Sequence, residues 1–167
     1  NRQNVYAGGV WNAGLNSGTA VASTSGTSID FTGIPSWAKR ITVMFAGVST
    51  SGTSVPLVQI GSGSITATGY LGGSQNLTTA ITSGTTAANT GWPIQSGAAA
   101  NALMGALYMQ LVSSNTWCIS GILYANNTAF STTNGYVSLS GALDRVRLTT
   151  TNGTDTFDAG SINILYE

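Results

Sequence analysis

Along most of this chain apolar side chains return at every second position. In the run 40–48, Ile41, Val43 and Phe45 share one face and Thr42 lies opposite, the alternation of a half-buried strand. The polar stretch 49–54 follows, and then Pro56-Leu57-Val58-Gln59-Ile60. Strand, Gly-containing loop and strand predict a hairpin, with Pro56 tolerated at the strand start. A second predicted hairpin joins 107–112 to 116–124 through Ser113-Ser114-Asn115. Leu107, Met109 and Leu111 form one face of its first strand, and Trp117, Ile119 and Leu123 one face of its return. Further strands are predicted over 4–11, 19–23, 28–31, 64–70, 135–140, 142–149 and 161–166, separated by Gly, Ser, Thr and Asn clusters that mark turns. A helix competes only over 98–111, where Leu103, Leu107 and Leu111 repeat every four residues; the hairpin alternation favours a strand for its second half. About ten short strands at this spacing suggest an all-β sandwich or barrel, and the fold expected is an antiparallel β-sandwich of jelly-roll type. Residues 1–25 read as an N-terminal lead-in segment rather than core, and 26–167 as a single sandwich domain. The stretch 74–100 is long, polar and without clear strand period, which in a compact domain often marks function.

Composition narrows the chemistry. The 167 residues include 22 Gly, one Cys and no His, only 6% are charged, and five basic side chains balance five acidic ones. Without a basic excess there is no counterion-release drive toward nucleic acid. Without His there is no Ser-His-Asp triad and no His metal ligand. One Cys excludes an intrachain disulfide framework, and Cys118, between Trp117 and Ile119, reads as a small buried hydrophobe. No catalytic residue, metal ligand or cofactor is expected. The most apolar run, 98–112, is broken by Asn101, Gly105 and Gln110 and is too short for a spanning helix. Three Asn-x-Ser/Thr sequons, at Asn76, Asn126 and Asn152, are what chance gives in so Thr- and Ser-rich a chain. A nearly charge-free surface suits a protein held in an assembly or meeting uncharged polar partners.

Paired carboxylates are the remaining route to hydrolysis. Asp155 and Asp158 lie three apart in a Gly-flanked turn, where Asp more commonly accepts from backbone N–H groups. Pairing with Arg145 and Arg147 is the other expectation for them. These arginines, two apart, project from one face of a strand, so Arg145, Arg147, Asp155 and Asp158 are read as a structural ion-pair cluster, with Asp144 and Glu167 as further acceptors. Asp30 is read as a strand-edge partner for Lys39 or Arg40. Uncharged sugars, which present apolar C–H faces and many hydroxyls, suit flat aromatic rings flanked by amides. Trp117 and Phe45 belong to alternating core runs, and Trp37 anchors a turn. Trp92, in the aperiodic 88–95 loop, either contacts a ligand or clips its loop onto the core. Tyr70 and Tyr124, with Asn89, Gln95 and Asn127, complete the candidate receptor- or glycan-binding set.

Three stretches carry a resemblance. Residues 27–45 (Thr-Ser-Ile-Asp-Phe-Thr-Gly-Ile-Pro-Ser-Trp-Ala-Lys-Arg-Ile-Thr-Val-Met-Phe), 55–63, and the end of the chain, from Leu143-Asp144-Arg145-Val146-Arg147 to Asp155-Thr-Phe-Asp-Ala-Gly-Ser-Ile-Asn-Ile-Leu-Tyr-Glu167, resemble the C-terminal tip domain of bacteriophage and prophage tail fibres and tailspikes. The similarity spans most of 26–167 and is weakest over 72–100. It implies a receptor-binding protein at the distal end of the virion's tail fibre, a homotrimer carried on a fibre shaft. Its partner would be a bacterial cell-surface polysaccharide or lipopolysaccharide, with no membrane insertion. It carries no defined binding residues. Two alternatives stay open: a structural trimerisation cap of the fibre, and an accessory domain of a polysaccharide depolymerase or esterase tailspike.

Overall fold

The structure, a computed structural model, describes residues 5–7, 10–12, 14–78, 85–87, 89–96, 98, 101–125 and 129–167. Among these residues it contains strands and no helix. In chain order the strands are β1 (Val5–Ala7), β2 (Val10–Asn12), β3 (Asn16–Ser17), β4 (Val21–Ala22), β5 (Ile29–Thr32), β6 (Arg40–Thr50), β7 (Pro56–Ser62) and β8 (Ser64–Ile65). They continue as β9 (Leu71–Thr78), β10 (Thr85–Thr86), β11 (Trp92–Pro93), β12 (Leu103–Ser113), β13 (Thr116–Ala125), β14 (Ala129–Ser138), β15 (Arg145–Thr150) and β16 (Phe157–Tyr166). Every pairing is antiparallel. A large sheet runs β10-β9-β14-β13-β12-β6-β16-β3, with β4 also on β16, and a small one runs β11-β7-β15-β5, with β8 on β7; β1 and β2 pair separately.

The two larger sheets meet through the rows that alternation predicts. Ile41, Val43 and Phe45 of β6, Leu107 and Met109 of β12, Trp117, Ile119 and Leu123 of β13, and Ile162 and Ile164 of β16 point inward from the large sheet. Ile29 and Phe31, Val58 and Ile60, Val146 and Leu148 answer them from the small sheet, all within one cluster. Each such side chain contributes about 1.5–3 kcal/mol when fully buried, against ~0–1 kcal/mol for an exposed ion pair. Apolar burial between the sheets therefore holds the fold.

Several expectations are corrected. The runs around 40–48 and 56–60 are both strands but not a hairpin. β6 pairs with β12 and β16, β7 with β15, β11 and β8. Their inward rows face each other across the core, so the 51–55 link steps over the ~10 Å between packed sheets. The second hairpin is found as expected, β12 to β13. The jelly-roll order is not reproduced. Successive strands of that fold mostly change sheet, whereas β12, β13 and β14 form a meander within the large sheet and β9 closes onto β14. The expected strand over 64–70 ends at Ile65: the Thr66 N–H turns back to the Ile60 carbonyl, and Gly69 takes φ +83°. A strand, β9, occupies the first part of the stretch read as aperiodic. Cys118 is half-buried on the outer face, because its neighbours Trp117 and Ile119 take the inner one. Within the lead-in, β3 and β4 are the edge of the large sheet against β16, while β1 and β2 pair with each other.

Candidate functional site

The aromatic residues of the aperiodic loop turn inward. Trp92 is 0% exposed, pairs with Val58 through its backbone, and sets its indole edge-on to Tyr70, ring centres 5.1 Å apart. Gly135 makes the room: a Cβ there would lie 2.8 Å from Trp92 Cδ1 and 2.3 Å from the Leu71 carbonyl oxygen. Tyr70, 1% exposed, donates its hydroxyl to the Ile60 carbonyl (3.1 Å) and accepts from the Ile60 N–H (2.8 Å). Burial pushes its phenol pKa up to about 12, the bond to Ile60 opposing that rise. Neither ring can stack on a surface sugar. Trp92 clips its loop over β7, and both leave the candidate binding set. Asn89 is exposed at the start of this segment, its carbonyl accepting from Tyr70 N–H at 3.2 Å. Gln95 is half-buried, its N–H donating to Ser74 Oγ (2.8 Å). Asn127, with the Asn126 sequon, lies outside the described residues. Tyr124 sits elsewhere, on the outer face of the large sheet, its ring 5.1 Å from Phe130. The proposed set is therefore not one site.

The ion-pair cluster is also rearranged. Arg147 grips Asp30 with two bonds (2.6 and 2.9 Å) across the β15–β5 register, and Arg145 holds its neighbour Asp144 the same way (2.7 and 3.0 Å). The Arg145 guanidinium holds the Asp144 carboxyl below the usual carboxylate range against an opposing desolvation, with the Gly63 N–H adding to the lowering. Asp155 meets no arginine: it accepts from Asn152 Nδ2 (2.7 Å) and Ser54 N–H (2.9 Å), which lower its pKa. Asp158 accepts from the Ser49 hydroxyl. The reason is register. Arg145 and Arg147 lie on the outer face of the small sheet, while Asp158 opens β16 in the large one. Asp30 pairs with Arg147 rather than Lys39 or Arg40, and Arg40 pairs with Glu167.

Two outer surfaces of the large sheet stand out. The first is a trough at one end of the large sheet. Tyr108, Thr42 and Leu165 stand side by side on β12, β6 and β16. With Leu15 and the Arg40–Glu167 pair they line an open cavity of about 280 Å³. A shallower cleft of about 430 Å³ continues past Arg40 and Glu167 along Lys39 and Gln110. The half-exposed Tyr108 ring gives an apolar plane, Thr42 a hydroxyl, and the ion pair both donors and acceptors. Such a set can hold a small polyhydroxylated ligand.

The second surface is the outer face of β9, β14, β13 and β12. Register places Leu77, Phe130, Tyr124 and Met104 in one row across these strands, and Gln75, Thr132, Ile122 and Ala106 in the next. Two rows further on stand Leu71, Tyr136, Cys118 and Gln110. Ile122 is 59% exposed, Phe130 51% and Tyr136 49%. None of the four strands carries a charged residue. The sequence holds a signal for this face: no Asp, Glu, Lys or Arg occurs between Arg40 and Asp144, and large apolar side chains occupy both parities of β12, β13 and β14.

No protein-family model, curated protein or solved structure matches the chain. The class defined by its own geometry is a two-sheet antiparallel sandwich with one ion-paired and one uncharged outer face.

Proposed function

We propose that this chain is the receptor-binding tip of a bacteriophage tail fibre or tailspike, at the distal end of the virion, where a homotrimer holds the particle to a bacterial surface glycan. The resemblance of 27–45 and 143–167 to such tips supports the setting. The observation that carries the glycan part is the trough, with an aromatic plane beside a hydroxyl and a neutralised Arg–Glu pair. Adhesion follows without covalent chemistry. A sugar ring stacks its C–H face on Tyr108 while its hydroxyls bond to Thr42, Arg40 and Glu167. Three such weak contacts on one rigid particle bind together through effective concentration. The apolar face of the large sheet favours a second reading, a cap whose task is to join fibre chains.

Binding to immobilised bacterial surface polysaccharides tests the proposal. Wild-type protein is expected to bind at least one of them in competition with the same polysaccharide in solution, and Tyr108→Ala to lose roughly tenfold in affinity, the loss of about 1.4 kcal/mol. Unchanged binding by Tyr108→Ala removes the trough as the site. A wild-type protein that binds no polysaccharide but trimerises favours the cap.

A further inference from the structure

We propose that the outer face of β9, β14, β13 and β12 is the surface through which copies of this chain join, and that it closes around a threefold axis. The inference rests on the homotrimeric reading above and names the face that reading leaves open.

Three observations favour a second copy over another partner. The first is charge. Every charged side chain among the described residues lies off these four strands, so like faces approach without repulsion and there is no handle for an oppositely charged partner. The outer face of the small sheet differs, carrying Asp30, Arg145 and Arg147 in their ion pairs.

The second is area. Four strands at ~4.8 Å and four outward rows at ~6.8 Å cover roughly 500 Å² in flat projection. The relief of Phe130, Tyr136, Ile122 and Leu77 adds to that; a closed trimer divides each face between two neighbours, so each pairwise contact is smaller than the ~800 Å² per partner of a standard interface and the three close together.

The third is shape. Three bands each ~19 Å wide, set as the walls of a triangular prism, stand about 5.5 Å from its axis, close to half the ~10 Å that separates packed sheets. One layer of side chains from each wall fills that space. The row Leu77, Phe130, Tyr124 and Met104 supplies such a layer. Tyr108 stands in one of the outward rows on β12, the edge strand of the band, where it lines the trough away from the axis.

Sedimentation velocity at micromolar concentration tests this with wild-type protein and Ile122→Lys. Ile122 points outward, so the substitution leaves the core row intact while placing three charges against one another at the axis. The expected result is three times the 17.0 kDa chain mass for wild type and the single-chain mass for Ile122→Lys. A trimeric Ile122→Lys overturns the proposed face and leaves the homotrimer standing; a monomeric wild type overturns both. Alkylation of Cys118 in the wild-type protein covers the case in which the variant does not fold. The thiol is half-buried on this same face, so its reaction is expected to slow at least tenfold as concentration rises through assembly. A rate independent of concentration in a trimeric protein overturns the face.

Discussion

At the scale of single residues, the best-determined position is Gly135, although it sits in a strand where glycine is a poor choice. Its missing side chain is the space that the Trp92 indole and the Leu71 carbonyl fill. Neither neighbour can withdraw easily, since Trp92 is packed edge-on to Tyr70, and Leu71 pairs with Tyr136 in the next position of the ladder. Gly135→Ala is accordingly expected to destabilise the fold by about 1–3 kcal/mol, seen as a lower urea midpoint with an unchanged slope. The aperiodic loop around Trp92 was legible in the sequence; the direction of its tryptophan was not. A loop without period says nothing of whether a neighbouring strand has left a gap, and here that gap comes from a glycine more than forty positions away.

Among the elements, alternation located strands well and pairings poorly. β12 and β13 are joined by a tight turn and pair as their spacing implies, because two residues of turn leave no other geometry. β6 and β7 are joined by a longer polar link, which can close a hairpin or cross between sheets, and the core rows chose the crossing. The crossing has its own fastening. Ser54 N–H and Asn152 Nδ2 both donate to the Asp155 carboxylate, Gly52 packs against it, and Asn152 Oδ1 collects the N–H groups of Thr154 and Asp155. The carboxyls of Asp155 and Asp144 are held below their ordinary values, so the folded chain binds protons there less readily than the unfolded one. Their contribution is present above the unfolded carboxyl value of ~4 and is lost as pH falls through the lowered folded values. The urea midpoint is expected to be level from neutral pH to about 5 and to fall below about 4, and Asp155→Asn to flatten that fall.

For the whole molecule, the informative feature is the difference between its two outer faces. Ion pairs keep the small sheet's face wet and neutral, while the large sheet's outer face carries no charge along β9, β14, β13 and β12 and mixes large apolar side chains with Thr, Ser, Asn and Gln. A molecule built this way meets partners through shape, hydroxyls and aromatic rings, with little long-range field. Glycan binding is therefore expected to change less than twofold between about 0.05 and 0.5 M salt, measured on the same immobilised polysaccharides; exposed charges would be strongly screened over that range. An adhesion that weakened steeply with salt would point to an anionic receptor held by Lys39 and Arg40.

Period-two alternation, a nearly charge-free composition and turn-forming clusters were enough to establish an all-β chain, its inward rows and the absence of histidine chemistry, since each depends on residue type and local spacing. Which strands pair, that Arg147 finds Asp30 and Asp155 finds no arginine, that Trp92 and Tyr70 turn inward, and that Tyr108 meets Arg40 and Glu167 were decided by the tertiary structure. Those outcomes join residues far apart in the chain. Sheet register and the filling of one shared core select among partners that local sequence leaves equivalent.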